Sequence, residues 1–225
     1  MLIPSIDLLR GRIVQLEKGE KLRLAFDDFE YWIARFSKFP LVQLIDLDAA
    51  MRQGENSALV AQIAQRLPVQ VGGGIRTVDR ARQVLDSGAR RVIIGSALFT
   101  GDGRVDTEFA STLASALGHD RIVAGIDTKN GRITVKGWKS EIALTPDQAV
   151  PHLEPHAAAF LYTHVDGEGL LQGFPLDVAA RLRKLTQRQL IVAGGIRSQA
   201  EIDALDAIGA DSVVGMAIYS DLLPV

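Results

Sequence analysis

Two aspartates at corresponding places in the chain are the side chains best suited to acid–base chemistry. Asp7 and Asp127 each end a short apolar segment, and each precedes a turn that contains glycine. If both segments are strands of one parallel barrel, the two carboxylates face each other across the same mouth. Two carboxyls in one apolar mouth can have their pKa values pushed apart, so that one serves as base and the other as acid. The alternative is that each aspartate only caps its turn.

An internal repeat favours the catalytic interpretation of this pair. The pattern Ile-Asp-x-x-x-Gly-Arg-Ile begins at Ile6 and recurs about 120 residues later at Ile126. Four segments match in the same order, which predicts one half-barrel of four strand–helix units used twice. The matched segments are 6–13 with 126–133, 72–76 with 193–197, 88–89 with 209–210, and 95–97 with 215–217.

The elements that position these residues follow from the apolar pattern. Eight short runs rich in β-branched residues alternate with amphipathic stretches, as expected for buried parallel strands connected by helices. The sequence therefore predicts an α/β fold, a (β/α)8 TIM barrel built from two duplicated half-barrels, as a single domain over residues 1–225. The predicted strands are 2–6, 41–45, 69–71, 92–94, 122–126, 158–162, 190–192 and 212–214.

Glycine motifs follow four of these strands and predict anion sites. Gly72-Gly73-Gly74 and Gly95-Ser96 follow the third and fourth strands, and Gly194-Gly195 and Gly215-Met216 follow the seventh and eighth. Glycine lets backbone N–H groups approach an anion, and a helix that begins there adds its dipole. Two such sites on opposite sides of one mouth predict a ligand with two phosphates. Tight turns without a ligand are the alternative.

Two further side chains are placed near the predicted mouth. Trp138 lies in a polar loop after the fifth strand, where an indole can stack on a flat heterocycle or simply cover the barrel. Thr163 ends the sixth strand and can offer a hydroxyl. The four histidines lack the spacing of zinc ligands, and there is no phosphate-binding nucleotide motif, so we expect neither a metal nor a cofactor.

Composition limits the remaining classes of function. The chain has no cysteine, which excludes disulfides, thiolate metal sites and a cysteine nucleophile. A net charge of −2 gives no basic face for nucleic acid. No apolar run approaches the ~20 residues that span a bilayer. We therefore expect a cytoplasmic protein with a small-molecule partner, and neither nucleic acid nor membrane as a partner.

Four motifs together resemble one known family. Residues 3–16 have the pattern Ile-Pro-x-Ile-Asp-Leu-x-x-Gly-x-x-Val-x-Leu, and Asp-Leu-Asp-Ala-Ala stands at 46–50. Val-Gln-Val-Gly-Gly-Gly-Ile-Arg at 69–76 and Val-Lys-Gly-Trp at 135–138 complete the set. These motifs resemble the phosphoribosylformimino-5-aminoimidazole carboxamide ribotide isomerases of histidine biosynthesis, and the resemblance covers nearly the whole chain.

This resemblance implies an aldose–ketose isomerase that needs no metal or cofactor. It implies the Amadori rearrangement of a bisphosphorylated aminoaldose (ProFAR) to an aminoketose (PRFAR), with Asp7 as general base and Asp127 as general acid, supported by Thr163. Trp138 matches the residue that stacks on the imidazole, and Arg76 matches a substrate-contacting arginine. The residues that match the two phosphate sites are Gly73, Gly74, Gly95, Ser96, Gly173, Gly194, Gly195, Gly215 and Met216.

The sequence departs from the family pattern in several places. Glu168-Gly169-Leu170 stands where the family usually has Asp-Gly-Thr, so Glu168 keeps a carboxyl but extends it by one methylene, and Leu170 lacks a hydroxyl. Met216 replaces a commoner neighbour, and the first loop is shorter than usual. The last helix is expected to be missing or very short. We expect this to expose apolar surface, or to recruit a second copy or another partner to cover it.

Three other functions stay open at this point. The sister cyclase (imidazole glycerol phosphate synthase, cyclase subunit) shares both aspartates and both phosphate sites. An isomerase that also acts on phosphoribosyl anthranilate has the same motifs. A divergent paralogue that binds a phosphorylated ligand or a protein partner without catalysis would fit the changes at Glu168 and Leu170.

Overall fold

The eight apolar segments form parallel strands. Their side chains are buried on both faces, inside the barrel and beneath the helices, as is typical of parallel sheets. The computed structural model describes residues 1–224. Each strand pairs in parallel with the next, and the eighth pairs with the first, so the sheet closes and the predicted (β/α)8 barrel is confirmed. The strands are β1 (Leu2–Leu9), β2 (Val42–Asp46), β3 (Val69–Gly72), β4 (Arg91–Ile94), β5 (Ile122–Lys129), β6 (Ala159–His164), β7 (Gln189–Ala193) and β8 (Ala210–Val214).

Helices surround the barrel and pack their apolar faces on its outer surface. Two of them begin at matching positions of the repeat, where the hydroxyls of Thr77 and Ser198 accept hydrogen bonds from the N–H groups of Arg80 and Glu201. Within residues 1–224, no helix is both long and apolar enough to cross a membrane. The helices are α1 (Phe29–Phe36), α2 (Leu47–Met51), α3 (Ser57–Ala64), α4 (Val78–Asp86), α5 (Thr107–Leu117), α6 (Pro146–Leu153), α7 (Leu176–Arg183), α8 (Gln199–Ile208) and α9 (Met216–Tyr219).

Two hairpins extend the mouth of the barrel at equivalent places. The first hairpin follows β1 and consists of the strands Arg12–Glu17 and Lys21–Phe26. The second hairpin follows β5 and consists of Arg132–Val135 and Ser140–Glu141. Leu8 pairs with Ile13 in the first half and Thr128 pairs with Ile133 in the second, so the two junctions have the same register.

The turn after each aspartate strand is fixed by a carboxylate of the next strand's loop. The N–H of Arg10 donates to Asp48 (2.6 Å) and that of Asn130 donates to Asp166 (2.9 Å). Arg10 and Asn130 share a φ of 51°, an uncommon backbone conformation for residues other than glycine. The same turn geometry in both halves supports the duplication that the sequence indicates.

A chain of polar side chains crosses the interior of the barrel. Arg91 donates to Gln189 (2.6 Å) on the opposite wall and to Gln70 (2.8 Å) beside it. Gln70 in turn donates to Gln43 (3.0 Å), and Gln189 donates to Asp211 (2.6 Å). Burial lowers the pKa of Arg91, and Asp211 counteracts this effect. These side chains fill the interior below the mouth, and their hydrogen bonds satisfy the Arg91 guanidinium, a charge that would otherwise be costly to bury.

The short helix α9 covers part of the surface that we expected to find bare. Tyr219 is buried against Trp32 and Phe36 of α1, with ring centroids 4.1 Å and 6.0 Å away. Leu223 is only 3% exposed, whereas Leu222 is 57% exposed. The residues after β8 fold back onto α1 and cover part of this face, whereas Tyr31 of α1 stays 50% exposed beside them. A second copy or partner at this face stays a prediction.

We expect Tyr219→Phe to leave the free energy of unfolding unchanged or to raise it by about 1 kcal/mol. The Tyr219 hydroxyl is buried without a hydrogen-bond partner among residues 1–224, so removing it removes an unpaired polar group. Urea denaturation measures the effect. Trp32→Ala is the contrasting variant, since losing a buried aromatic ring costs about 3–5 kcal/mol. A clear loss of stability in Tyr219→Phe would show that the hydroxyl has a partner.

Candidate active site

The carboxyl ends of the strands surround one open cavity with a volume of about 570 Å³. This volume is in the range of small-molecule sites. Within residues 1–224, no cluster of three or more acidic or histidine side chains is arranged to hold a metal ion. The predicted site residues that line the cavity are Asp7, Asp127, Thr163, Glu168, Arg76, Trp138, Gly73, Gly74, Gly95, Ser96, Gly194, Gly195, Gly215 and Met216.

Gly173 is the predicted site residue that does not line the cavity. Its N–H donates to the carbonyl of Gly195 (2.8 Å), so it lies behind the second glycine motif and supports it. With a φ of 91°, this position favours glycine. Its predicted contact with the ligand stays a prediction.

Asp7 and Asp127 enter the cavity from β1 and β5, half a barrel apart, as the repeat predicts. Burial raises the pKa of Asp7 to about 6, and a hydrogen bond from the Ser5 hydroxyl (2.9 Å) opposes the rise. Burial also raises the pKa of Asp127, against the effects of the Thr163 hydroxyl and the Trp138 indole. Both carboxyls are thus less acidic than usual, and each has its own set of donors.

Glu168 is a third carboxyl in the same cavity. Burial, together with the nearby charges of Asp7 and Asp127, raises its pKa to about 8. Three carboxyls in one enclosed mouth resist simultaneous ionisation, because like charges repel more strongly where water is scarce. At neutral pH, Glu168 keeps its proton while Asp7 is mostly ionised.

A strained loop places Trp138 above Asp127. The indole Nε1 donates to the Asp127 carboxylate (2.8 Å). Lys136, Gly137 and Trp138 have φ values of 59°, 66° and 66°, and such left-handed runs are unfavourable for residues with side chains. The Lys136 N–H donates to the Ser96 hydroxyl (2.9 Å), so the loop is held between a carboxylate and a glycine motif.

The first hairpin contacts both the loop after β6, which carries Glu168, and the indole of Trp138. The N–H of Lys18 donates to the carbonyl of Glu168 (3.0 Å), which holds the loop after β6. Gly19 packs on the Trp138 indole so closely that an added Cβ would lie 2.6 Å from two ring carbons. The first loop therefore reaches across the mouth.

The glycine motifs form two cradles of backbone on opposite sides of the mouth. The first cradle consists of Gly72-Gly73-Gly74 and Gly95-Ser96, and the second consists of Gly194-Gly195 and Gly215-Met216. Side chains at Gly73 and Gly194 would collide with the carbonyls of Asp46 and His164, so only glycine fits at either position. The other two motifs precede short helical turns that begin at Ser96 and at Met216 in α9. The first N–H groups of such turns have no carbonyl partner within the helix and are free to bind an anion.

The two cradles differ in the cations beside them. The Arg76 guanidinium donates to the carbonyls of Ala50 (2.8 Å) and Ala49 (3.3 Å), and so ties the loop after β2 to the first cradle at the edge of the cavity. Its counterpart in the repeat, Arg197, is not among the lining residues and pairs with Glu201 instead. The first cradle therefore has a lining arginine and the second has none.

Several lining residues were missed in the sequence. Ser5, Gln15 and Gln43 are buried polar side chains that face the cavity from β1, the first hairpin and β2. Lys18 and Lys139 line it from the two hairpins. The signal for Ser5 was present, because residues two apart on a strand share one face, so Ser5 must lie on the same face as Asp7.

The fold and the cavity define a (β/α)8-barrel protein with four carboxyls, those of Asp7, Glu20, Asp127 and Glu168, and two glycine cradles at one mouth. Its sequence matches the model of the family described as histidine biosynthesis protein over residues 1–224. The chain therefore belongs to this family, and both the resemblance and the enzyme class predicted from the sequence are confirmed.

Curated relatives match nearly the full length of the chain. One from Methanocaldococcus jannaschii is 33% identical over 99% of this chain and 95% of its own. One from Methanosphaerula palustris is 35% identical over 96% and 93%, and one from Thermus thermophilus is 32% identical over 97% and 94%. Each is named 1-(5-phosphoribosyl)-5-((5-phosphoribosylamino)methylideneamino) imidazole-4-carboxamide isomerase.

We expect Gly19→Ala to displace the indole from Asp127, whereas Gly11→Ala does not. Both glycines have a left-handed φ, +70° and +74°, so both variants carry similar backbone strain. Only at Gly19 would the new methyl group meet the indole, since an added Cβ at Gly11 has nothing within 4 Å. Tryptophan fluorescence in a Trp32→Phe background reports on Trp138 alone. Identical emission from the two variants would contradict the contact.

We expect Glu168→Gln to stabilise the protein more at high pH than at low pH. Because the pKa of Glu168 is raised in the folded state, the unaltered protein loses stability as pH rises from about 4.5 to about 8. Glutamine cannot ionise, so the gain in unfolding free energy should reach about 2–4 kcal/mol near pH 8. Denaturation at a series of pH values measures it. Glu168→Asp keeps a titratable carboxyl and should keep the decline.

Proposed function

We propose that this protein catalyses the reaction for which its relatives are named, the Amadori rearrangement of ProFAR to PRFAR in histidine biosynthesis. The observation that carries the proposal is the arrangement of one mouth, in which carboxyls face each other between two glycine cradles. The relatives' name contains two phosphoribosyl groups and an imidazole. A ligand with a phosphate at each end and a flat ring fits two cradles with Trp138 between them.

Binding by backbone cradles fixes both ends of the substrate. Phosphate oxygens accept hydrogen bonds from N–H groups at Ser96 and Met216, and the short helical turns add favourable dipoles. Arg76 beside the first cradle adds a cation on that side only. The substrate is therefore held across the barrel with its reacting sugar carbons between the carboxyls, which lowers the entropic cost of reaching the transition state.

The rearrangement needs one acid and one base. A proton passes to the ring oxygen of the aminoaldose as its C1–O bond breaks, which gives an open-chain cationic imine. Asp7 then removes the C2 proton, and the electron pair of the C–H bond forms the enolamine. The enolamine becomes the aminoketose when C1 gains a proton and the C2 hydroxyl loses one. A base with a pKa of about 6 is ionised at neutral pH and still strong enough to take this proton.

The hydrogen-bond donors around the two carboxyls favour Glu168 over Asp127 as the proton donor. Asp127, the predicted acid, receives the indole N–H and lies beside the Thr163 hydroxyl, both of which favour its ionised form. Glu168, with a pKa of about 8, carries a proton at neutral pH and can give it away. In this proposal, Asp127 holds Trp138, and its ionised form stabilises the cationic imine.

We expect Asp7→Asn to lower kcat by about 10²–10⁴-fold with little change in KM, because a general base acts only in the transition state. The ultraviolet change on incubation with ProFAR follows turnover.

In the unaltered protein, kcat/KM should rise through pH 6 as Asp7 ionises and fall above pH 8 as Glu168 loses its proton. Glu168→Gln should abolish turnover, and Asp127→Asn should retain the two limbs at a lower rate.

Other outcomes would separate the remaining functions. Full turnover in Asp7→Asn would overturn the proposed mechanism. Tight binding of the bisphosphate without turnover by the unaltered protein would favour a non-catalytic paralogue. The same protein assayed with phosphoribosyl anthranilate tests for a dual isomerase, and cyclisation of PRFAR with ammonia tests for the sister cyclase.

A further inference from the structure

Ser5 lies on the same inward face of β1 as Asp7, one step deeper in the barrel. Its side chain is 5% exposed and borders the cavity. The Ser5 hydroxyl donates to Asp7 Oδ1 (2.9 Å). Within residues 1–224, this is the one hydrogen bond that the Asp7 carboxylate receives, so Oδ2 has no protein donor and is left to the ligand.

The two halves of the barrel supply hydroxyls to their aspartates from different places. In the second half, the position that corresponds to Ser5 is Gly125, which has no side chain to donate. The strand register pairs Asp127 with Thr163, but it pairs Asp7 with Ile45, which has no hydroxyl. The duplication therefore does not account for Ser5, and Asp7 depends on a donor from its own strand.

We propose that Ser5 is a positioning residue for Asp7, which fixes the carboxylate with one oxygen held and the other directed to the C2 proton of the substrate. This inference rests on the proposed function. A hydroxyl that donates to a carboxylate favours the ionised form, whereas the enclosure of the mouth disfavours it. Ser5 thus keeps Asp7 ready to act as a base at neutral pH, despite its burial.

Other charged groups around Asp7 come from every side of the mouth. Glu168 and Asp127 act on the same mouth from the loop after β6 and from β5, and Tyr219 lies within electrostatic reach on α9. The carboxyl of Glu20 lines the cavity from the first hairpin, and three cations also line it, namely Lys18, Lys139 and Arg76. All of these groups are unchanged when Ser5 is replaced, so a shift on substitution reports on the hydroxyl itself.

Carbon-13 NMR of protein labelled at the aspartate carboxyls tests the proposal without reference to activity. The Asp7 signal is assigned as the one that disappears in Asp7→Asn. We expect Ser5→Ala to raise the titration midpoint of Asp7 by about one pH unit. Ser5→Thr keeps the hydroxyl and should restore the midpoint. Ser5→Gly, which has the residue of the second half, should behave like Ser5→Ala and serves if alanine prevents folding.

Kinetics gives the second measurement. In Ser5→Ala the acidic limb of kcat/KM should move up by the same amount, with a loss of about fivefold at pH 6 and little loss at pH 8. A loss that is equal at all pH values, or an Asp7 midpoint that does not change, would overturn the role of Ser5. If neither the unaltered protein nor any variant turns over ProFAR, the proposed function fails. The NMR titration still decides the effect of Ser5 on Asp7.

Discussion

Repulsion between carboxyls that share one enclosed mouth is the constraint on which the site depends. Asp7, Asp127 and Glu168 border the same cavity, and burial raises the pKa of each. Because water screens these charges poorly there, the group with the weakest donors keeps its proton. Hydrogen bonds from Ser5 to Asp7 and from Trp138 to Asp127 leave Glu168 as that group. The carboxyls thus differ through their surroundings rather than through their chemistry.

The duplicated half-barrel supplies a symmetric frame, and single side chains break the symmetry. Both halves have an aspartate at the end of a strand, a hairpin of the same register and a glycine that touches the loop of the preceding strand. Arg76 borders the cavity, whereas its counterpart Arg197 does not. A substrate whose two ends are chemically different needs such an asymmetry, because a fully symmetric mouth would bind it in either direction.

Local patterns in the sequence predicted the barrel and its duplication. Nearly all of the residues predicted for the site do line the cavity, since strand ends and glycine turns determine which residues reach the mouth. The same patterns did not reveal contacts between distant segments. The bond from Lys18 to Glu168 and the packing of Gly19 on Trp138 join loops far apart in the chain. The cover formed by α9 over α1 was missed for the same reason, because the fit of Tyr219 against Trp32 depends on shape and not on period.

The polar chain inside the barrel has a consequence for how the two halves depend on each other. Arg91 comes from the first half, yet one of its two acceptors, Gln189, comes from the second. A half-barrel standing alone, or paired with a copy of itself, would bury a guanidinium without that acceptor, at a considerable cost in solvation. The two halves are therefore not interchangeable at this place, because each supplies part of one buried hydrogen-bond network.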